Sequence, residues 1–161
     1  MIFIILGSTH FVFDRLVKKV DYLVGNKKIN DSVFIQLGSS LYEPIHCRWK
    51  RFLSFEEMCN KIEKAELVIS HAGAGATLLC LNLGKRPILI PRRKKLKEVV
   101  DDHQVIFAER MEKLGYAKVA SDINDLEHLV QTKTRILENP TRSESNELEK
   151  YLRNILVSWN K

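Results

Sequence analysis

The sequence predicts an α/β domain built on a doubly wound parallel sheet. Two observations carry that reading. Six strand-like segments alternate along the chain with helical ones, the pattern of successive βαβ units. Three of the strands run directly into turns of small or polar residues, at Gly7-Ser8-Thr9, at Gln36-Leu37-Gly38-Ser39, and from His71 to Thr77. Open parallel sheets bind ligands at the edge where their strands end, so these turns are expected to converge there. A fold of this kind specifies no chemistry by itself.

The elements follow in order. Residues 2–6 are an apolar first strand, and 13–24 a helix with Phe13, Leu16, Val17, Val20 and Leu23 on one face, ended by Gly25-Asn26. Residues 33–37 form strand two, and a short strand is expected within 47–53. Ser54 and Glu57 have the spacing of a capping box, which opens a helix running to about Ala65. Residues 67–71 read as a buried strand and 72–75 as a turn almost without side chains. The helical pattern starts at Ala76, carries Leu78, Leu79, Leu81 and Leu83, and meets Gly84 as its C-cap. Strand five is 88–91. A basic loop leads to a helix over 102–114, with Asp102 as N-cap and Gly115 at its end. Residues 116–120 are the last strand. A helix over 122–138 is broken by Asn139-Pro140, and a final helix spans 143–159.

At 161 residues the chain is long enough to bury its own core as one domain, 1–161. Hydrophobic content of 45% and charged content of 29% are ordinary for a globular protein. The three cysteines, Cys47, Cys59 and Cys80, have no CxxC spacing, the usage of a reducing cytoplasm, and Cys80 is expected in the core. The start of the chain is too short and too little basic for a signal peptide and reads as a strand. No apolar run approaches the ~18 residues of a membrane span. A net charge of +6 favours an anionic partner. Aromatic residues are not interleaved with the basic ones as a nucleic-acid stacking platform requires, so RNA binding rests on charge alone. The densest basic cluster, Arg92-Arg93-Lys94-Lys95 with Lys97, is either a solvated loop or a surface facing substrate phosphates or lipid head groups.

The turn from His71 to Thr77 holds the chemistry. A strand followed by small residues and a helix exposes backbone N–H groups that lack intrahelical partners, and the helix dipole adds about half a positive charge there. Gly73, Ala74, Gly75, Ala76 and Thr77 thus form either an anion site or a tight packing turn. Downstream stand Gly84-Lys85, a strand ending in Pro91-Arg92, and Asp102-His103-Gln104 opening a helix. Other chemistries lack their signatures. The glycines do not continue as GxGxxG, and there is no Asp-x-Asp pair, HExxH or GxSxG, so neither metal dependence nor a cofactor is expected.

This ordered set resembles the C-terminal, nucleotide-sugar-binding half of glycosyltransferase family 28, over about residues 1–120. Within the family it is most similar to the stand-alone catalytic subunits of two-part UDP-sugar transferases, both the eukaryotic dolichol-linked type and the bacterial capsule and exopolysaccharide type. The resemblance implies a Rossmann-like domain equivalent to the C-terminal half of a GT-B enzyme. It implies a UDP-sugar whose diphosphate lies on Gly7, Ser8, Thr9 and the Gly73–Thr77 turn. It further implies that Gln36, Gly38, Ser39 and His71 lie beside the nucleotide, that Phe55 lies near the uracil ring, and that His103 and Gln104 reach the sugar hydroxyls; by the residues alone His71 is equally a structural histidine and Phe55 a core residue packed against its helix.

One position departs. The family's ribose-binding glutamate is matched here by Leu79, and no acidic residue occurs from Ala76 to Leu83, which shifts the likeness toward the bacterial subunits. The implied function is an inverting transfer to a lipid-linked acceptor, active with a membrane-anchored partner that resembles the N-terminal half of the same enzymes and supplies the general base. The chain would then be cytoplasmic, recruited to the membrane face by that partner. Leu79 keeps a second class open, a non-catalytic supporting subunit. The 143–159 stripe of Leu148, Tyr151, Leu152, Ile155, Leu156 and Trp159 either packs on its own domain or docks the partner.

Overall fold

The computed structural model describes residues 1–132. Its elements are β1 (Ile2–Ile5), α1 (Asp14–Gly25), β2 (Val33–Gln36), β3 (Arg48–Lys50), α2 (Phe55–Lys64), β4 (Leu67–Ser70), α3 (Ala74–Asn82), β5 (Ile88–Leu89), α4 (His103–Lys113), β6 (Lys118–Val119) and α5 (Asp125–Gln131), with a 3-10 turn over Lys94–Leu96. All six strands lie in one sheet of order β3-β2-β1-β4-β5-β6, and every pairing is parallel. The strand order reverses between β1 and β4, the point at which such sheets open a crevice beyond their carboxyl ends.

Alternation along β1 shows why the sheet is covered on both faces. Ile2, Ile4 and Leu6 pack with Leu16, Val17, Val20 and Leu23 of α1 and Leu126 and Val130 of α5. Phe3 and Ile5, on the opposite face, pack with Ile62 of α2 and Cys80 of α3. A third cluster joins Leu89 to Phe107, Ala108 and Met111 of α4 and to Tyr116. Full burial of each such large apolar side chain contributes about 1.5–3 kcal/mol. The expected doubly wound architecture is therefore present, with Cys80 fully buried.

Several boundaries differ from the expectation. Helix α3 begins at Ala74, two residues before Ala76, so Ala74 and Gly75 belong to its first turn. The left-handed turn itself is at Ala72, with φ of +62°. After α1 the left-handed residue is Lys27, while Gly25 is the last helical residue and packs beneath the His46 ring. Asp102 stands at the N-cap of α4 but does not cap it: its carboxylate accepts from the Lys94 N–H, and Asp101 accepts from the His103 N–H. A carboxylate that ties the preceding loop down is unavailable to the helix it precedes. Strand β5 stops before Pro91, which has no N–H to continue a ladder. The expectations on residues 133–161, namely the rest of the 122–138 helix, its Asn139-Pro140 break and the 143–159 helix, lie outside the described residues.

Candidate functional site

The carboxyl ends of β2, β1 and β4 are adjacent, and hydrogen bonds stitch their turns together. The Gln36 side chain is the central fastener. Its Oε1 accepts from the Gly7 N–H at 2.9 Å, and its Nε2 donates to the Gly7 carbonyl at 2.9 Å and the Arg51 carbonyl at 3.0 Å. A buried amide must find partners, and this one finds all of them in backbone, so Gln36 shapes the Gly7 turn. Ser39 Oγ donates to the Thr9 carbonyl at 2.8 Å. Gly38 takes a positive φ of 59°, and its missing Cβ would otherwise strike the Gly7 carbonyl.

His71 is the second fastener. Its ring is buried, and Nδ1 lies 3.2 Å from the Ile5 carbonyl, so Nδ1 carries the proton and Nε2 is left as an acceptor. Burial first, and the nearby Arg92 cation second, push its pKa down to about 4, so the imidazole is neutral at physiological pH. The ring occupies the space that side chains on Gly7 and Gly73 would need: a Cβ on Gly7 would come within 2.8 Å of the imidazole, and one on Gly73 closer still. The glycines on either side of the crevice are therefore required by the histidine between them. By contrast, a Cβ on Gly75 would meet nothing within 4 Å, so that position opens outward.

Helix α3 starts bare. Its N-cap is Gly73, no side chain caps it, and its first turn holds no acidic residue. Thr77, which the sequence placed at the diphosphate, donates its hydroxyl to the Gly73 carbonyl at 2.9 Å and is fully buried. What α3 offers is its terminal N–H groups and its dipole.

A cleft of about 1050 Å³ lies over this start. Gly7, Ser8, Thr9, Gln36, Phe55, His71, Gly73, Gly75 and Ala76 line it, as does Leu79. Among the described residues its lining contains no acidic side chain and includes Lys85 and Arg86. Gly38, Ser39, Ala74, Thr77, His103 and Gln104 are not among its lining residues. His103 is exposed, with Nδ1 3.2 Å from Asp101, and Gln104 Oε1 accepts from the Arg92 N–H at 3.1 Å. Phe52 lines the cleft beside Phe55, and both rings are solvent-exposed. Sequence reading missed Phe52. The available signal was a second aromatic residue just ahead of the Ser54 capping box.

The basic cluster divides. Lys94, Lys95 and Lys97 are exposed, but Arg92 is 1% exposed and is the largest fully buried side chain. Glu98 anchors the loop to α1, accepting from Arg15 Nε at 2.8 Å and Nη2 at 3.0 Å.

An all-parallel Rossmann-like sheet of this order is the architecture of the C-terminal half of a GT-B glycosyltransferase. The chain superposes on the glycotransferase of kitacinnamycin with a TM-score of 0.61 at 14% identity, covering 96% of this chain and 40% of that one. It superposes on Acinetobacter baumannii MurG with a TM-score of 0.56 at 20% identity, covering 83% and 41%. Residues 1–155 match the glycosyltransferase family 28 C-terminal domain, and the chain belongs to that family. It is 32% identical over 142 residues to the UDP-N-acetylglucosamine–N-acetylmuramyl-(pentapeptide) pyrophosphoryl-undecaprenol N-acetylglucosamine transferase of Geobacillus kaustophilus, covering 76% of this chain and 39% of that protein. It is 38% identical over 78 residues to the UDP-N-acetylglucosamine transferase subunit ALG13 of Candida albicans, covering 48% and 25%. The chain thus spans well under half the length of these relatives. Among the described residues no helix is long and apolar enough to cross a membrane.

Proposed function

We propose that this chain is the UDP-sugar-binding catalytic subunit of an inverting, two-subunit glycosyltransferase acting on a lipid-linked acceptor. The observation that carries the reading is the uncapped start of α3, opening into a cleft whose described lining holds no acidic side chain. A diphosphate there accepts from the free N–H groups and is favoured by the helix dipole. Phe52 and Phe55 offer apolar faces for the base. The relatives' names support the donor class, a UDP-sugar, and one of them names a lipid diphosphate acceptor.

In the proposed reaction an acceptor hydroxyl oxygen attacks the anomeric carbon as the bond to the diphosphate oxygen breaks. The charge that develops on the departing UDP falls on the α3 start, which needs no reorganisation to receive it. The acceptor's proton goes to a base on the partner, a membrane-anchored subunit that completes the cleft and holds this chain at the cytoplasmic membrane face. His103 and Gln104 are assigned to the sugar.

Calorimetric titration with UDP, UDP-N-acetylglucosamine and an RNA oligomer tests the donor reading, with binding of the first two and none of the third expected. Transfer should require both subunits. Alanine at His103 or Gln104 should reduce transfer more than UDP affinity, and equal loss of both would remove the sugar assignment. Leu79, which lines the cleft from α3 without an acidic group, favours a second reading, a supporting subunit that binds its partner and no donor. A folded chain with no UDP affinity at millimolar concentration would replace the first reading by the second.

A further inference from the structure

Arg92 is an uncommon residue: an arginine enclosed by the protein with, among the described residues, no carboxylate in hydrogen-bond contact. Its Nη2 donates to the Leu6 carbonyl at 2.7 Å and the Phe11 carbonyl at 3.1 Å. Those carbonyls bracket the Gly7-Ser8-Thr9-His10 turn, one on each side. The guanidinium carbon lies 5.3 Å from the centroid of the Phe13 ring, at the N-cap of α1 where that turn ends. Two of its polar atoms, Nε and Nη1, are buried without a hydrogen-bond partner. Leaving charged donors unmatched in an interior is costly, so packing alone does not account for the residue. The backbone of the same residue reaches a third segment, its N–H donating to Gln104 Oε1 at 3.1 Å. With that oxygen engaged, Gln104 has its amide NH₂ to present, making it a donor toward any ligand.

We propose that Arg92 is the positioning residue of the donor site: its side chain clamps the two ends of the Gly7–His10 turn, and its backbone orients Gln104, fixing the phosphate-facing turn and the sugar-facing helix start relative to each other. The inference rests on the donor-site reading above. Arg92 does not line the cleft, so it acts through the turn and not on the ligand. A merely structural arginine would support the whole fold evenly. A positioning arginine acts on the part of the ligand that the turn receives, the diphosphate.

The test compares UDP with uridine, which lacks the diphosphate, in wild type, Arg92→Met and Arg92→Lys. In Arg92→Met the Kd for UDP should rise at least fivefold while that for uridine stays within twofold. Arg92→Lys keeps a cation able to reach the carbonyls and should recover most of the UDP affinity. Amide exchange of Ser8, Thr9, His10 and Phe11 should quicken at least tenfold in Arg92→Met without ligand. Equal loss of UDP and uridine, or unchanged UDP affinity in a folded variant, overturns the proposal, as does unchanged exchange across the turn. If Arg92→Met fails to fold, Arg92→Lys carries the same tests, with a smaller loss confined to UDP and faster exchange expected. Wild-type chain that binds no UDP refutes the donor-site reading instead, and the exchange measurement then still decides whether Arg92 clamps the turn.

Discussion

Helices α2 and α3 both begin at the same cleft, and they begin in opposite ways. At α2, Ser54 Oγ accepts from the Glu57 N–H at 3.1 Å and Glu57 Oε2 accepts from the Ser54 N–H at 2.8 Å, a reciprocal box that closes the helix with its own side chains. Lys50 adds a hydrogen bond to the same carboxylate, and the Glu57 pKa is lowered chiefly for that reason. At α3 the cap is glycine, no side chain answers the first N–H groups, and the threonine nearby turns its hydroxyl inward. A good N-cap stabilises a helix by about 1 kcal/mol. Helix α3 forgoes this while its neighbour has it, and under the proposed function the donor's diphosphate would take the place of the cap. On that reading ligand and stability are linked, and UDP should stabilise the fold with the logarithm of its concentration over Kd once that ratio is well above one.

Three perturbations test the contrast. The largest expected effect comes from acid. His71, whose ring lies between the two glycines flanking the α3 start, is held neutral with a pKa near 4 against an ordinary 6.5. The unfolded chain therefore takes up the proton first on acidification. The stabilisation is fully present above about pH 6.5 and is lost as pH falls toward 4, amounting to about 3 kcal/mol over the whole window. Urea unfolding at pH 7.5 and pH 4.5 should show this loss in wild type and much less of it in His71→Gln. An equal loss in both would place the acid sensitivity elsewhere.

Next is Gly75→Asp. Because a Cβ at Gly75 meets nothing within 4 Å, the variant should fold and melt nearly as wild type, yet place a carboxylate beside the proposed diphosphate. UDP affinity should fall about tenfold or more, roughly 1.4 kcal/mol of like-charge repulsion. Unchanged affinity would remove the anion site from α3.

The smallest effect belongs to the capped helix. Ser54→Ala should cost about 1 kcal/mol of stability and leave the UDP affinity of the folded protein within twofold. A larger loss of UDP than of stability would show that α2 serves the ligand as well.

Much of the fold was legible because it rests on local pattern. The six strands, the Ser54–Glu57 box, the Gly84 terminus of α3 and the convergence of three turns all follow from apolar runs and small-residue punctuation. What stayed hidden depends on partners distant in sequence. Arg92 reads as one more cation in a basic run, and only the assembled sheet encloses it against Leu6 and Phe11. Gln36 was legible as part of a polar turn after a strand, but its hydrogen bonds to both the N–H and the carbonyl of Gly7 were not. Asp102 had an N-cap's position and another loop to hold. The start of α3 was misread because alanine and glycine have no helical periodicity to display, so two residues of helix passed for turn.

The two margins of the sheet have a consequence for assembly. Strand β3, at one margin, is three residues long with Arg48 and Lys50 exposed, and β6, at the other, is two residues long with Lys118 exposed. Short strands carrying positive charge are poor templates for a further strand, since an added chain finds few backbone groups to pair and must approach lysine and arginine. Growth of the sheet by annexing a neighbour's strand is thereby discouraged, in solution and during folding alike. Among the described residues the loops and helix flanks, more than the sheet's margins, are left to meet another protein.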